Sequence, residues 1–131
     1  EGAAEALAAQ QGYAFHTGPE DGMAHTVRSY PAAWLAPLEL HAVEGCGHGR
    51  ATYDMTLHLL SSGARLSPTE RRAALARMEE QLLEIFAGFR HASLDERVLA
   101  VEGLSVRPRA FALTPHGEIS QTAAARIVTF F

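Results

Sequence analysis

Lysine and asparagine are absent from this chain of 131 residues, and cysteine occurs once, at Cys46. A lone cysteine excludes an intrachain disulfide and points to a reducing compartment. With no lysine, every cation other than histidine is an arginine, a bias that fits either a GC-rich coding genome or selection for the planar guanidinium fork. No apolar run reaches the roughly 20 residues needed to cross a bilayer, and Glu1 to Gln11 lack the basic start and apolar centre of a secretory signal. Also missing are a Gly-x-Ser-x-Gly elbow, a glycine loop ending in lysine and a His-Glu-x-x-His helix. A net charge of -4 argues against neutralising phosphate backbones. The small basic spot Arg107-Pro108-Arg109 lacks the neighbouring aromatics of a stacking platform. Neither nucleic acid nor membrane is expected as a partner.

What is present is ordinary globular material, 47% hydrophobic and 20% charged, enough for one domain over residues 1–131 with its own core. The clearest element is a helix beginning at Ser67-Pro68-Thr69-Glu70. Ser67 can cap a free backbone N–H, Pro68 suits the first helical position, and Glu70 can reach back to complete a capping box. Leu75, Met78, Leu82, Ile85, Phe86 and Phe89 recur at helical spacing, and Gly88 supplies a stop, so the helix is expected over Pro68–Ala87. A shorter helix is predicted from Ala3 to Gln11, ended by Gly12.

Between the helices, Tyr13–His16 reads as a short strand and Thr17–Ser29 as an exposed loop, with a fresh start at Tyr30-Pro31. Trp34–Val43 and Ala51–Leu60 are expected to pair antiparallel across Glu44–Gly49. In the second of them Tyr53, Met55, Leu57 and Leu59 point one way, and Thr52, Asp54, Thr56 and His58 the other. That alternation suits a sheet covered by a helix on one side only. Val98–Leu113 follows as a long strand with a bulge at Gly103, placing Leu99, Val101, Leu104 and Val106 on one face. Thr114–Gly117 is a turn and Glu118–Phe131 the final strand. The fold class is therefore α+β: a single mostly antiparallel sheet of about four to five strands, one long helix packed on one face and a short N-terminal helix.

Candidate chemistry is sparse. His41, Cys46 and His48, beside Glu44, have the flavour of a metal site, but three ligands at this spacing match no finger or ribbon. The competing reading is a glycine-rich connection that happens to carry them. A Cys46–His48 nucleophilic pair would need an oriented base and an oxyanion hole that such a hairpin does not supply. His58 is expected on the polar strand face beside Asp54, in a surface hydrogen bond. Glu79 and Glu80 stand about 100° apart around a helix and do not converge as an acid/base pair. No cofactor is expected. Phe130-Phe131 ends the chain on two bulky rings, which either belong to a centrally placed last strand or feed a subunit contact.

Three stretches carry a likeness to a known family. They are Tyr30-Pro31-Ala32-Ala33-Trp34-Leu35, the strand Tyr53–Leu59 ahead of the capped helix, and Ala110–Glu118 between the last two strands. In pattern and element order the chain resembles the tail terminator or tail-completion proteins of tailed phages. The resemblance implies a non-enzymatic subunit that forms a homo-oligomeric ring, caps the tail tube and joins it to the head, in the cytoplasm of a bacterial host or in the virion. Its partners would be other tail or head–tail proteins, met through heterologous contacts. Arg50, Asp54, His58, Phe130 and Phe131 are the interface candidates, together with the Thr17–Ser29 loop and the Cys46 hairpin. Two other readings stand beside it: a small-ligand-binding or accessory domain using the open sheet face or the helix–sheet cleft, and a metal-dependent enzyme built on His41, Cys46 and His48.

Overall fold

The computed structural model describes residues 2–23, 30–45, 49–62, 66–89, 98–108 and 118–130. The elements run α1 (Gly2–Gln10), β1 (Ala14–Thr17), a 3-10 turn (Glu20–Gly22), β2 (Ala32–Leu35), β3 (Glu39–Glu44), β4 (Arg50–Ser61), α2 (Pro68–Phe89), β5 (Val98–Pro108) and β6 (Ile119–Phe130). They form an α+β molecule with one open six-stranded sheet, ordered β1-β2-β4-β6-β5, with β3 pairing β4 off that path. The sheet is thus larger than the expected four to five strands. All pairings are antiparallel except β1 with β2.

The additional strand comes from dividing one expected strand into two. Trp34–Val43 is interrupted at Ala36-Pro37-Leu38, leaving β2 against Leu57–Leu60 and β3 against Arg50–Asp54 of β4. Pro37 has no N–H to give to the ladder, so a continuous strand cannot run through it. Ala36 still donates its N–H to the Thr56 carbonyl at 3.0 Å, the last bond before the chain breaks away.

Helix α2 starts as its sequence demands. Glu70 N–H donates to Ser67 Oγ at 3.2 Å, Ser67 N–H donates to Glu70 Oε1 at 3.4 Å, and Arg71 N–H reaches the Ser67 carbonyl at 2.9 Å. Met78, Leu82, Ile85 and Phe86 are buried in one core with Leu57 and Leu59 of β4, and with Ile119, Ala123 and Ile127 of β6. Gly88 does not stop the helix, which continues to Phe89. Its small size serves packing instead: a Cβ at this position would run into the Leu7 side chain of α1. Helix α1 ends in a Schellman motif, with Tyr13 N–H on the Ala8 carbonyl, Gly12 N–H on the Ala9 carbonyl, and Gly12 at φ +85°.

Strand β6 lies between β4 and β5, so the last strand is central. The bulge in β5 is present: the register slips between Glu102 and Ser105, with Gly103 at φ +62°. Val101 and Val106 pack on the core as expected, but Leu104 falls within the bulge and is 36% exposed. The Leu99 side chain, Arg109–Leu113 and the Thr114–Gly117 turn lie outside what the structure describes.

The helix-free face of the sheet is not uniformly open. Trp34, Ala32, Leu60 and Met23 form a second cluster there, with Tyr30 packed against it. Trp34 donates its indole N–H to the Gly18 carbonyl at 2.9 Å and stacks on His16 with ring centres 6.1 Å apart. The expected exposed loop therefore covers one end of the sheet over its described part, through residue 23.

Candidate functional site

The helix-free face contains two polar arrangements. The first is a polar row laid across β4, β6 and β5 by register, which His41 joins from the bulge of β3 while Glu39 holds the register position opposite Asp54. Asp54 of β4 sits opposite Arg126 of β6, and Arg126 sits opposite Glu102 of β5. Asp54 Oδ1 lies 3.5 Å from Arg126 Nε, and Asp54 Oδ2 lies 3.4 Å from His41 Nδ1 on β3. Alternate positions on a strand share a face, which is why Asp54, Arg126 and Glu102 line up across β4, β6 and β5. A shallow depression of about 510 Å³ runs along it, lined by Asp54, Thr56, Glu102, Gly103, Ala124 and Arg126 among others. These side chains are about half exposed, so the Asp54–Arg126 ion pair contributes at most about 1 kcal/mol. The row presents both signs of charge in an order set by the register.

The second arrangement is buried. His58 is 0% exposed. Its Nε2 lies 3.0 Å from Glu20 Oε1 and its Nδ1 2.7 Å from Thr122 Oγ1. A carboxylate only accepts, so Nε2 carries a proton; Nδ1 accepts from Thr122 in the neutral ring or donates to it in the charged one. Hydroxyl, imidazole and carboxylate are the components of a nucleophilic triad, but here they join β6 to β4 and β4 to the 3-10 turn. The imidazole links the turn at Glu20 to β4 and β6 through these two bonds.

The interface candidates therefore separate. Arg50 is exposed at the start of β4 and Asp54 anchors the charge row. His58 is not on a solvated face, because Trp34, Met23 and the turn at Glu20 cover this end of the sheet; it bonds Glu20 and Thr122 where a surface bond with Asp54 was expected. Phe130 pairs opposite Arg50 through its backbone, while its side chain, and all of Phe131, lie outside the described residues. Of the three metal candidates, His41 turns toward Asp54, and Cys46 and His48 also lie outside the described residues. Among the described residues there is no group of three or more metal-ligating side chains, and no helix is long and apolar enough to cross a membrane.

Among the buried polar groups His58, Glu118, Ser120 and Gln121, two make contacts that the residue pattern does not predict. Gln121 reaches from β6 to give its amide N–H to the Leu75 carbonyl of α2 at 3.0 Å. The Glu20–His58–Thr122 link had a signal: Leu57, Leu59 and Leu60 break the strict alternation of β4, and apolar neighbours on both faces mean cover on both faces. At the far end of α1, Tyr13 gives its hydroxyl proton to Gln81, and burial pushes the phenol pKa up against the lowering pull of Arg77. A scan against family models and a search of curated proteins returned no match to the chain.

Proposed function

We propose that this chain is a non-enzymatic assembly subunit of a phage tail, which caps the tail tube or joins it to the head as a ring of copies. It would work in the bacterial cytoplasm during assembly and remain in the virion. The observation that supports this reading is the ordered row of exposed charge from His41 through Asp54 and Arg126 to Glu102, on a sheet whose ends differ from one another. A ring needs one surface of a subunit to meet a different surface of the next, and a flat face bearing fixed opposite charges selects orientation more than it adds affinity. The depression along the same row favours a second reading, a domain that binds a small charged ligand.

Sedimentation of the purified chain over a wide concentration range, alone and with tail tubes of the phage encoded beside it, separates the two. A closed oligomer of fixed mass, formed alone or on the tube and weakened by reversing Arg126 to Glu, is the expected result. A chain that stays monomeric in both settings, or a gene set among metabolic enzymes with no tail genes nearby, overturns the proposal.

A further inference from the structure

Strand β3 is exposed at every position except Ala42, which is half-buried. Leu40 is 58% and Val43 53% exposed, and Leu38 just before them is exposed as well. Leu40 pairs opposite Tyr53 and Val43 opposite Ala51, so both apolar side chains lie on the helix-covered side of the sheet and are still exposed. Among the described residues, β3 has a neighbour only in β4, so its outer row of N–H and C=O groups faces no described strand. An edge strand with apolar side chains is what a protein normally blunts, and among the described residues the bulge between Leu40 and Ala42, Pro37 just before the strand and the exposed charges on it are the blunting features. Each end of the strand carries an exposed glutamate, Glu39 opposite Asp54 and Glu44 opposite Arg50, so the acidic field is strongest at the Glu39 end.

Those charges choose the occupant. In a symmetric antiparallel pair of two β3 strands, Glu39 of one copy would oppose Glu44 of the other, twice over, and like charges directly opposite are destabilising. A strand carrying basic residues at its ends reverses the sign at both places, in either orientation. We propose that β3 receives an extended segment of a partner protein as an added strand, with apolar residues against Leu40 and Val43 and arginine or lysine beside Glu39 and Glu44. Backbone bonds to the edge supply the affinity and the side chains supply the choice of segment. The proposal concerns the chemistry of the occupant and does not depend on whether that occupant belongs to a tail.

Two short end-blocked peptides test it on the full chain by fluorescence anisotropy at low salt. Both alternate valine and threonine; one is flanked by arginines, the other by glutamates. The arginine-flanked peptide is expected to bind about tenfold tighter, the sum of two exposed charge pairs, and the gap is expected to shrink with added salt. In the double variant Glu39→Lys/Glu44→Lys the order of the two peptides reverses. Leu40→Asp/Val43→Asp loses both, with thermal melting unchanged because these side chains are exposed in the free protein. N-methylation of alternate peptide amides, on the side that meets β3, removes binding. Failure of the arginine-flanked peptide to bind, equal binding of both, or an order that survives the charge reversal overturns the proposal, as does self-association lost in the Leu40→Asp/Val43→Asp variant.

Discussion

Strand β4 has two halves of opposite character. From Leu57 to Leu60 every residue is buried, and the neighbouring β2 is buried at all its positions; from Arg50 to Asp54 only Ala51 is buried, and the neighbouring β3 is exposed almost throughout. Both halves are paired to an outer strand by the same antiparallel ladder, so backbone pairing does not account for the difference. What differs is the layer above and below. Over the β2 half, the helical layer covers one face, while Trp34, Met23 and the turn at Glu20 cover the other. No described element does this for β3. Pairing positions a strand, and stacking determines what it contributes to stability.

The largest expected effect tests the covered half. Trp34→Ala removes a fully buried indole, its bond to the Gly18 carbonyl and its stack on His16. It should lower the unfolding free energy by about 3–5 kcal/mol in urea denaturation, the usual cost of truncating a buried aromatic. A loss under 1 kcal/mol would mean that the cluster on the helix-free face is loosely held, and the contrast between the halves would collapse.

Next comes the histidine link within that half. Thr122→Val keeps the shape of the side chain and removes the hydroxyl partner of His58 Nδ1. Because His58 is fully enclosed, the expected cost is about 1–3 kcal/mol by the same measurement. Hydrogen exchange should quicken at Glu20–Gly22 as well, since the turn is held to β4 through His58 Nε2. Loss of stability without faster exchange would place the role of the histidine in β4–β6 pairing alone.

The same contrast explains what could be read from the residues. Helix α2, its capping box and the alternation of β4 are local patterns, and each is visible within a few neighbouring positions. The candidate site was harder. Asp54 was picked out, but Arg126 and Glu102 enter its row only through the register of β4, β6 and β5, which no local pattern fixes. The alternation of β4 places His58 in solvent because its cover arrives from Glu20, far away in the chain and inside a stretch rich in Gly, Pro and acidic residues. Gly88 reads locally as a helix stop, because the close approach of Leu7 is a tertiary fact. Pro37 did carry its message in the sequence, and splitting the expected strand there would have given the sixth one.

A pH experiment probes the covered region from its other edge. Tyr13 is buried next to α1, and burial raises its pKa. A raised folded-state pKa means that its stabilisation is complete below the pKa of an unfolded tyrosine, about 10, and is lost as pH rises through the folded value. In that window stability should fall with a slope of up to about 1.4 kcal/mol per pH unit from this one proton. Tyr13→Phe should remove that component of the slope, and an unchanged slope would assign the alkaline loss to other groups.

The smallest expected effect carries the most weight for the comparison. Leu40→Ala shortens a side chain that is 58% exposed on a strand uncovered on both faces. In the isolated chain it should change stability by less than about 0.5 kcal/mol, the range of ordinary surface substitutions. Set beside Trp34→Ala, this is a large difference between two residues on strands that flank the same β4. A loss of 2 kcal/mol or more, a typical cost of truncating a core leucine, would show that β3 is already covered in the free protein, and the two halves of β4 would then be alike. A near-zero loss together with weaker binding of the arginine-flanked peptide has one physical reading: Leu40 contributes little to folding because its contact partner lies on another molecule.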